Sequence, residues 1–98
     1  MFDTYENYRK LACAIITTAV IDYKKAYKSY LKSDREYKKN YYLGLVNAET
    51  IFFMSDWFKT LSDFADLNLK APEVIEEIQK RAIEELNKKG NKKYAKVV

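Results

Sequence analysis

Asp22 and Glu49 are the two side chains of this sequence that come nearest to a catalytic pair. Each lies beside the apolar face of a segment with helical spacing, where burial raises a carboxyl pKa toward the range a general acid needs. The competing reading is structural, with both carboxylates accepting hydrogen bonds from tyrosines, Trp57 or a lysine across a helical hairpin, and the rest of the chain favours it. There is no histidine, the commonest general base, and one cysteine, Cys13. An intrachain disulfide is therefore impossible, and a Cys/His zinc site lacks its ligands. Cys13 sits in the run Leu11-Ala12-Cys13-Ala14-Ile15-Ile16 with no adjacent charge to stabilise a thiolate, and reads as packing. No nucleophile elbow, glycine-rich phosphate loop or helical metalloprotease motif is present. The acidic series Glu73, Glu76, Glu77, Glu84, Glu85 lacks the histidines that two-metal bundle sites combine with carboxylates, and reads as a solvated helix face. The expectation is a protein with no catalytic, metal-binding or cofactor-binding residues.

Charge points instead to binding. The 98 residues carry a formal net charge of +4, distributed unevenly. Residues 9–39 hold nine Lys/Arg against three acids, residues 40–87 hold four against nine, and residues 88–96 hold five lysines and no acid. Two faces follow as candidate contact surfaces. The acidic one comprises Asp56, Asp63, Asp66, Glu73, Glu76 and Glu77, and suits a basic groove by imitating nucleic-acid phosphates. The basic one comprises Lys24, Lys25, Lys28, Lys32, Arg35, Lys38 and Lys39, interleaved with Tyr23, Tyr27 and Tyr30. Lysines meet phosphates and tyrosines stack on bases, so this face suits nucleic acid itself. Against that use, the tyrosines fall on a helical core stripe, and arginine, the preferred reader of guanine, is scarce.

These residues must be positioned by helices. Gly and Pro together number three, aromatics make up 15% of the chain, and no alternating strand pattern occurs. The first helix spans about 4–32, with Tyr5, Tyr8, Leu11, Ile15, Ala19, Tyr23, Tyr27 and Tyr30 among the members of one stripe. Asp3 or Thr4 caps its start, and Ser33 or Asp34 caps a second helix over about 35–54. There Tyr37, Tyr41, Leu45, Ala48 and Phe52 form the expected core row, with Gly44 allowing helix 1 to approach closely or kinking the helix. Ser55 either restarts a short helix to about Asp63 or lies within a continuous helix 2, and Trp57 is expected in the core. Residues 64–71 read as a connector whose Leu67 and Leu69 plug the core. Pro72 then opens, and Gly90 follows, a last helix with Ile75, Ile78, Ala82 and Leu86 inside. The fold class is all-α, a small bundle built on a long hairpin of helices 1 and 2, closed by the short Trp57-Phe58 helix and a C-terminal helix. Residues 1–90 form one domain and 91–98 a basic, flexible tail. With no signal peptide and an apolar run too short to span a bilayer, the chain reads as intracellular, with no membrane partner. The surplus of tyrosines and the Phe52–Phe58 cluster leave homo-oligomerisation open.

The blocks Ala19-Val20-Ile21-Asp22-Tyr23-Lys24-Lys25-Ala26 and Glu49-Thr50-Ile51-Phe52-Phe53-Met54-Ser55-Asp56-Trp57-Phe58 resemble a group of small helical proteins from phages and prophages of low-GC Gram-positive bacteria. The resemblance covers roughly half the chain, about residues 17–65, and departs where a longer connector replaces the group's usual tight turn. The group has no established common function. The resemblance implies a phage setting, the host cytoplasm as location, and a host protein or ribonucleoprotein complex as partner. Small phage proteins of this kind often inhibit host defence, as anti-CRISPR proteins do. A nucleic-acid-binding accessory protein is the alternative.

Overall fold

In the computed structural model, which describes residues 4–90 and 94, four α-helices form a small all-α bundle. Helix α1, Thr4–Lys32, is its spine. At 1.5 Å per residue its 29 residues extend about 44 Å, most of the 53 Å long axis of the molecule. Ala12, Ile16, Ala19, Tyr23, Ala26, Tyr27 and Leu31 recur at steps of three, four or one and are buried, so the 3.6-residue period places them on one face. The N-terminal part of the expected stripe behaves differently. Tyr5, Tyr8 and Leu11 are all more than half exposed, because among the described residues one short helix lies beside that half of α1.

Helix α2, Glu36–Phe53, folds back along the C-terminal half of α1. Its inward face is Val46 and Phe53, seven residues or two turns apart, with Tyr42, Leu43, Glu49 and Thr50 half-buried beside them. The row expected in the core faces the other way: Tyr37, Tyr41, Leu45 and Ala48 are exposed, and of that row only Phe52 is partly buried. The helix carries apolar residues on opposite faces, so periodicity alone could not orient it. The orientation is decided at its C-terminal end, where the Phe53 ring packs against Tyr23 and Phe58 at centroid distances of 6.0 and 5.0 Å. Gly44 falls on the outward face with nothing within 4 Å of the position its Cβ would occupy, so it does not admit helix 1.

The chain does break after Phe53. The Ser55 hydroxyl donates to the Phe52 carbonyl at 2.5 Å and accepts from the Phe58 amide at 3.3 Å, capping α3, Asp56–Phe64. Helix α3 as a whole packs on α1, and Phe58, Leu61, Ser62 and the following Ala65 are buried, the Phe58 ring against Phe52 and Phe53. Trp57 is not: it is 54% exposed, because a nine-residue amphipathic helix has one inward face and Phe58 and Leu61 occupy it. The connector turns through Asp66 and Asn68, at φ 60° and 50°, residue types that tolerate the left-handed region. Ser62 then accepts from the Leu69 amide at 2.7 Å, which seats Leu69 against the core, while Leu67 is left 45% exposed. Of the two leucines expected to plug the core, Leu69 does so.

Helix α4, Ala71–Lys89, has Pro72 in its first turn and Gly90 at its end, and lies along α1 in the same direction. Ile78, Ala82 and Leu86 are buried and Ile75 packs beside them. Gln79, an unforeseen inner residue, is 3% exposed and donates its amide to the Tyr23 hydroxyl at 2.9 Å. The basic tail expected over 91–98 lies, Tyr94 apart, outside the described residues. Tyr94 is half-buried and exchanges two hydrogen bonds with Asn87. No helix among the described residues is long and apolar enough to cross a membrane.

Two substitutions measure these joints in urea denaturation. Phe53→Ala removes a ring 1% exposed and is expected to cost about 3–5 kcal/mol. Ser55→Ala removes one cap and is expected to cost about 1 kcal/mol.

Candidate interaction surfaces

Asp22 and Glu49 do face each other across the α1–α2 hairpin. Partial burial, and then the negative charge of Asp22, push the Glu49 carboxyl above its ordinary pKa. No hydrogen-bond donor to either carboxylate is seen among the described residues. Like charges brought together this way destabilise the fold when both are ionised.

The opposite arrangement joins α1 to α4. Glu85 accepts from Lys24 at 2.9 Å and from Lys28. The bonds from Lys28 and Lys24 hold its carboxyl down at about 2. These two lysines, expected on a free basic face, are therefore engaged within the chain. Tyr23 and Tyr27, expected to interleave with them, are fully buried and cannot stack on a base. Tyr30 is half-buried with the Lys39 ammonium 5.3 Å from its ring centroid. Lys25, Lys32, Arg35 and Lys38 are exposed, the last three clustered at the tip where α1 hands over to α2.

The acidic residues are exposed but divided. Asp56 and Asp63 line a groove between α3 and the connector that leads into α4, together with Lys59 and Lys70. Glu73 and Glu77 rim a second groove of about 420 Å³ between α1 and α4, floored by Val20, Val74 and Ile78. Lys24, Lys70 and Arg81 share that rim, and Arg81 donates to Glu77 at 2.8 Å. Glu76 lies around the helix beside Tyr23, Asn47 and Pro72, and Asp66 is in the connector. The six thus occupy several sites in which cations are interspersed, rather than one field. Among the described residues no three carboxylate or thiol groups come together as a metal site.

The sequence expects surplus apolar surface without locating it, and the structure gathers it on two surfaces. Between α1 and α3, Tyr8, Leu11, Ala12 and Ile15 face Trp57, Leu61 and Phe64 around an open groove of about 300 Å³. Tyr8 and Phe64 meet at 6.3 Å between ring centroids. The second is the outward row of α2. A signal for each was present: α2 has too many apolar positions for one buried face, and the α1 stripe is longer than a nine-residue α3 can cover. No family model, curated protein or solved structure matches this chain.

The two carboxylates give pH profiles of opposite sign. Glu85 has a lowered pKa in the fold, so its contribution is present above the ordinary carboxylate range and lost as pH falls toward about 2. Glu85→Gln is therefore expected to lower the melting temperature at neutral pH, with the difference vanishing in strong acid. Glu49 has a raised pKa, so its ionisation opposes folding. Glu49→Gln is expected to raise the melting temperature at neutral pH, the gain disappearing as pH falls through the carboxylate range. Thermal scans across pH read both.

Proposed function

We propose that this protein is a non-enzymatic binding protein that occludes a surface on a host macromolecule, docking through the groove between α1 and α3. The observation that carries the reading is Trp57, 54% exposed beside Tyr8, Leu11 and Phe64 on a surface that the described residues leave uncovered. Tryptophan and tyrosine in this half-wet setting are the residue types that anchor protein interfaces, since they bury a large ring at small entropic cost. The resemblance to phage and prophage proteins supports a setting in which the partner belongs to a host defence system, a protein or ribonucleoprotein complex inhibited in the manner of an anti-CRISPR protein, inside the host cytoplasm.

A second reading, nucleic-acid binding, is supported by the exposed cations Lys32, Arg35 and Lys38 at the hairpin tip beside exposed Tyr37 and Tyr41. It is the weaker one, because Lys24, Lys28, Tyr23 and Tyr27 are withdrawn from that surface.

Plaque assays on a host with active CRISPR immunity test the first reading. Expression of the protein is expected to restore plaques by a targeted phage, and Trp57→Ala or Tyr8→Ala to abolish that effect. Trp57 is exposed, so its replacement should change stability by only about 0.5 kcal/mol. Plaque numbers that the wild-type protein leaves unchanged would sink the defence role, and an active Trp57→Ala protein would sink the groove. Tight, steeply salt-dependent shifts of generic DNA or RNA would favour the second reading instead.

A further inference from the structure

The α1–α3 groove runs along α1 toward a place where charge is left uncompensated. Tyr8, Leu11, Ile15 and Asp22 follow one another at steps of three, four and seven residues, so they lie on a single stripe of α1. The first three line the groove with Trp57 and Phe64. Asp22 lies about 10 Å beyond Ile15 along the helix and acts on the half-buried Glu49 of α2. Among the described residues neither carboxylate has an ion-pair partner, and Lys25, three residues on from Asp22, forms none with it. Glu85, by contrast, is matched with Lys24 and Lys28. A pair that opposes its own fold is the kind of local conflict that proteins keep at functional sites. The groove also lacks a helix. The C-terminal half of α1 is flanked by α2 and α4, whereas among the described residues α3 alone lies beside the N-terminal half.

We infer that the partner segment seated in this groove is an amphipathic helix lying along α1, with apolar side chains against Tyr8, Leu11, Ile15 and Trp57 and an arginine or lysine between Asp22 and Glu49. The inference rests on the docking reading above and names the chemistry of what docks. A helix repeats its apolar side chains at steps of three and four, which matches the spacing of Tyr8, Leu11 and Ile15. Two further turns of the same helix span about 10 Å and bring its next side chain to the acidic pair. A guanidinium there donates to both carboxylates at once, which converts a repulsion into charge-assisted hydrogen bonds. An acid at that position would meet two like charges, so the pair sets specificity while the groove supplies area. The described residues hold no strand, so no sheet edge is offered to an extended segment.

Trp57 is the sole tryptophan of the chain, so its fluorescence reads this surface. The test is a surface-displayed library of tryptophan-free peptides of about 18 residues, helix-patterned and proline-rich, panned on the full-length protein. The enriched peptides are expected to be helical, with apolar residues at helical spacing and a cation two turns beyond them. The tightest of them, added in solution, should shift Trp57 emission to the blue. Asp22→Asn and Glu49→Gln should each weaken it roughly tenfold, even though Glu49→Gln makes the protein more stable, a combination that a merely structural pair does not give. Enrichment of proline-rich peptides alone, no enrichment at all, or helices that leave Trp57 emission unchanged overturns the helical occupant. Affinity indifferent to both carboxylate variants overturns the role of the pair. Restored plaques without an enriched helix would remove this inference and leave the defence role standing, and enriched helices without restored plaques would do the reverse.

Discussion

All four helices are tied to one another around the ring of Tyr23. The ring meets Phe53 from α2 in a T-shaped contact, Phe53 meets Phe58 from α3, and the Tyr23 hydroxyl accepts from the Gln79 amide of α4. Tyrosine suits this place because one side chain supplies both a large apolar ring and a polar tip, and the tip is satisfied although the residue is 1% exposed. Removing the ring would open a cavity where three elements meet. Removing only the hydroxyl would leave a buried amide without its acceptor. The register of α2 on α1, the break at Ser55 and the lie of α4 all follow from what must reach this point.

The same constraint explains which surfaces stay open. Once Phe53 is committed inward, Val46 follows two turns earlier and the opposite row of α2 must face outward. Once Phe58 and Leu61 fill the inward face of α3, Trp57 and Phe64 are left at its border with α1. Among the described residues no further element covers either surface. Exposed apolar side chains scattered singly need no explanation, but two contiguous sets on one small molecule are what interaction surfaces look like.

Charge is arranged around this scaffold with uneven consequences. The Lys24, Lys28 and Glu85 cluster links α1 to α4 at half-exposed positions and engages two cations that composition alone would assign to a partner. Asp22 and Glu49 work against the hairpin they sit on. The acidic stretch of the sequence becomes several patches divided by Lys59, Lys70 and Arg81. A run of like charge along a chain predicts a surface field only when the fold keeps intervening cations out of it.

Helical content, the limits of α1 and α4, the serine at the α2–α3 break and the buried row of α4 were legible in the sequence. They rest on local physics: periodicity, capping and the placement of Pro72 and Gly90 act within a few residues of one another. Which face of α2 is buried, whether Trp57 is inside, and which cations remain free were decided only by tertiary structure. Each depends on a competition between alternatives that look equal along the chain. Two apolar rows of α2 compete for one wall of α1, two aromatic neighbours on α3 for one inward face, and Glu85 for lysines more than fifty residues away. Packing settles such contests because a helix has room for one face against its neighbour, and local sequence carries no record of what lies across the interface.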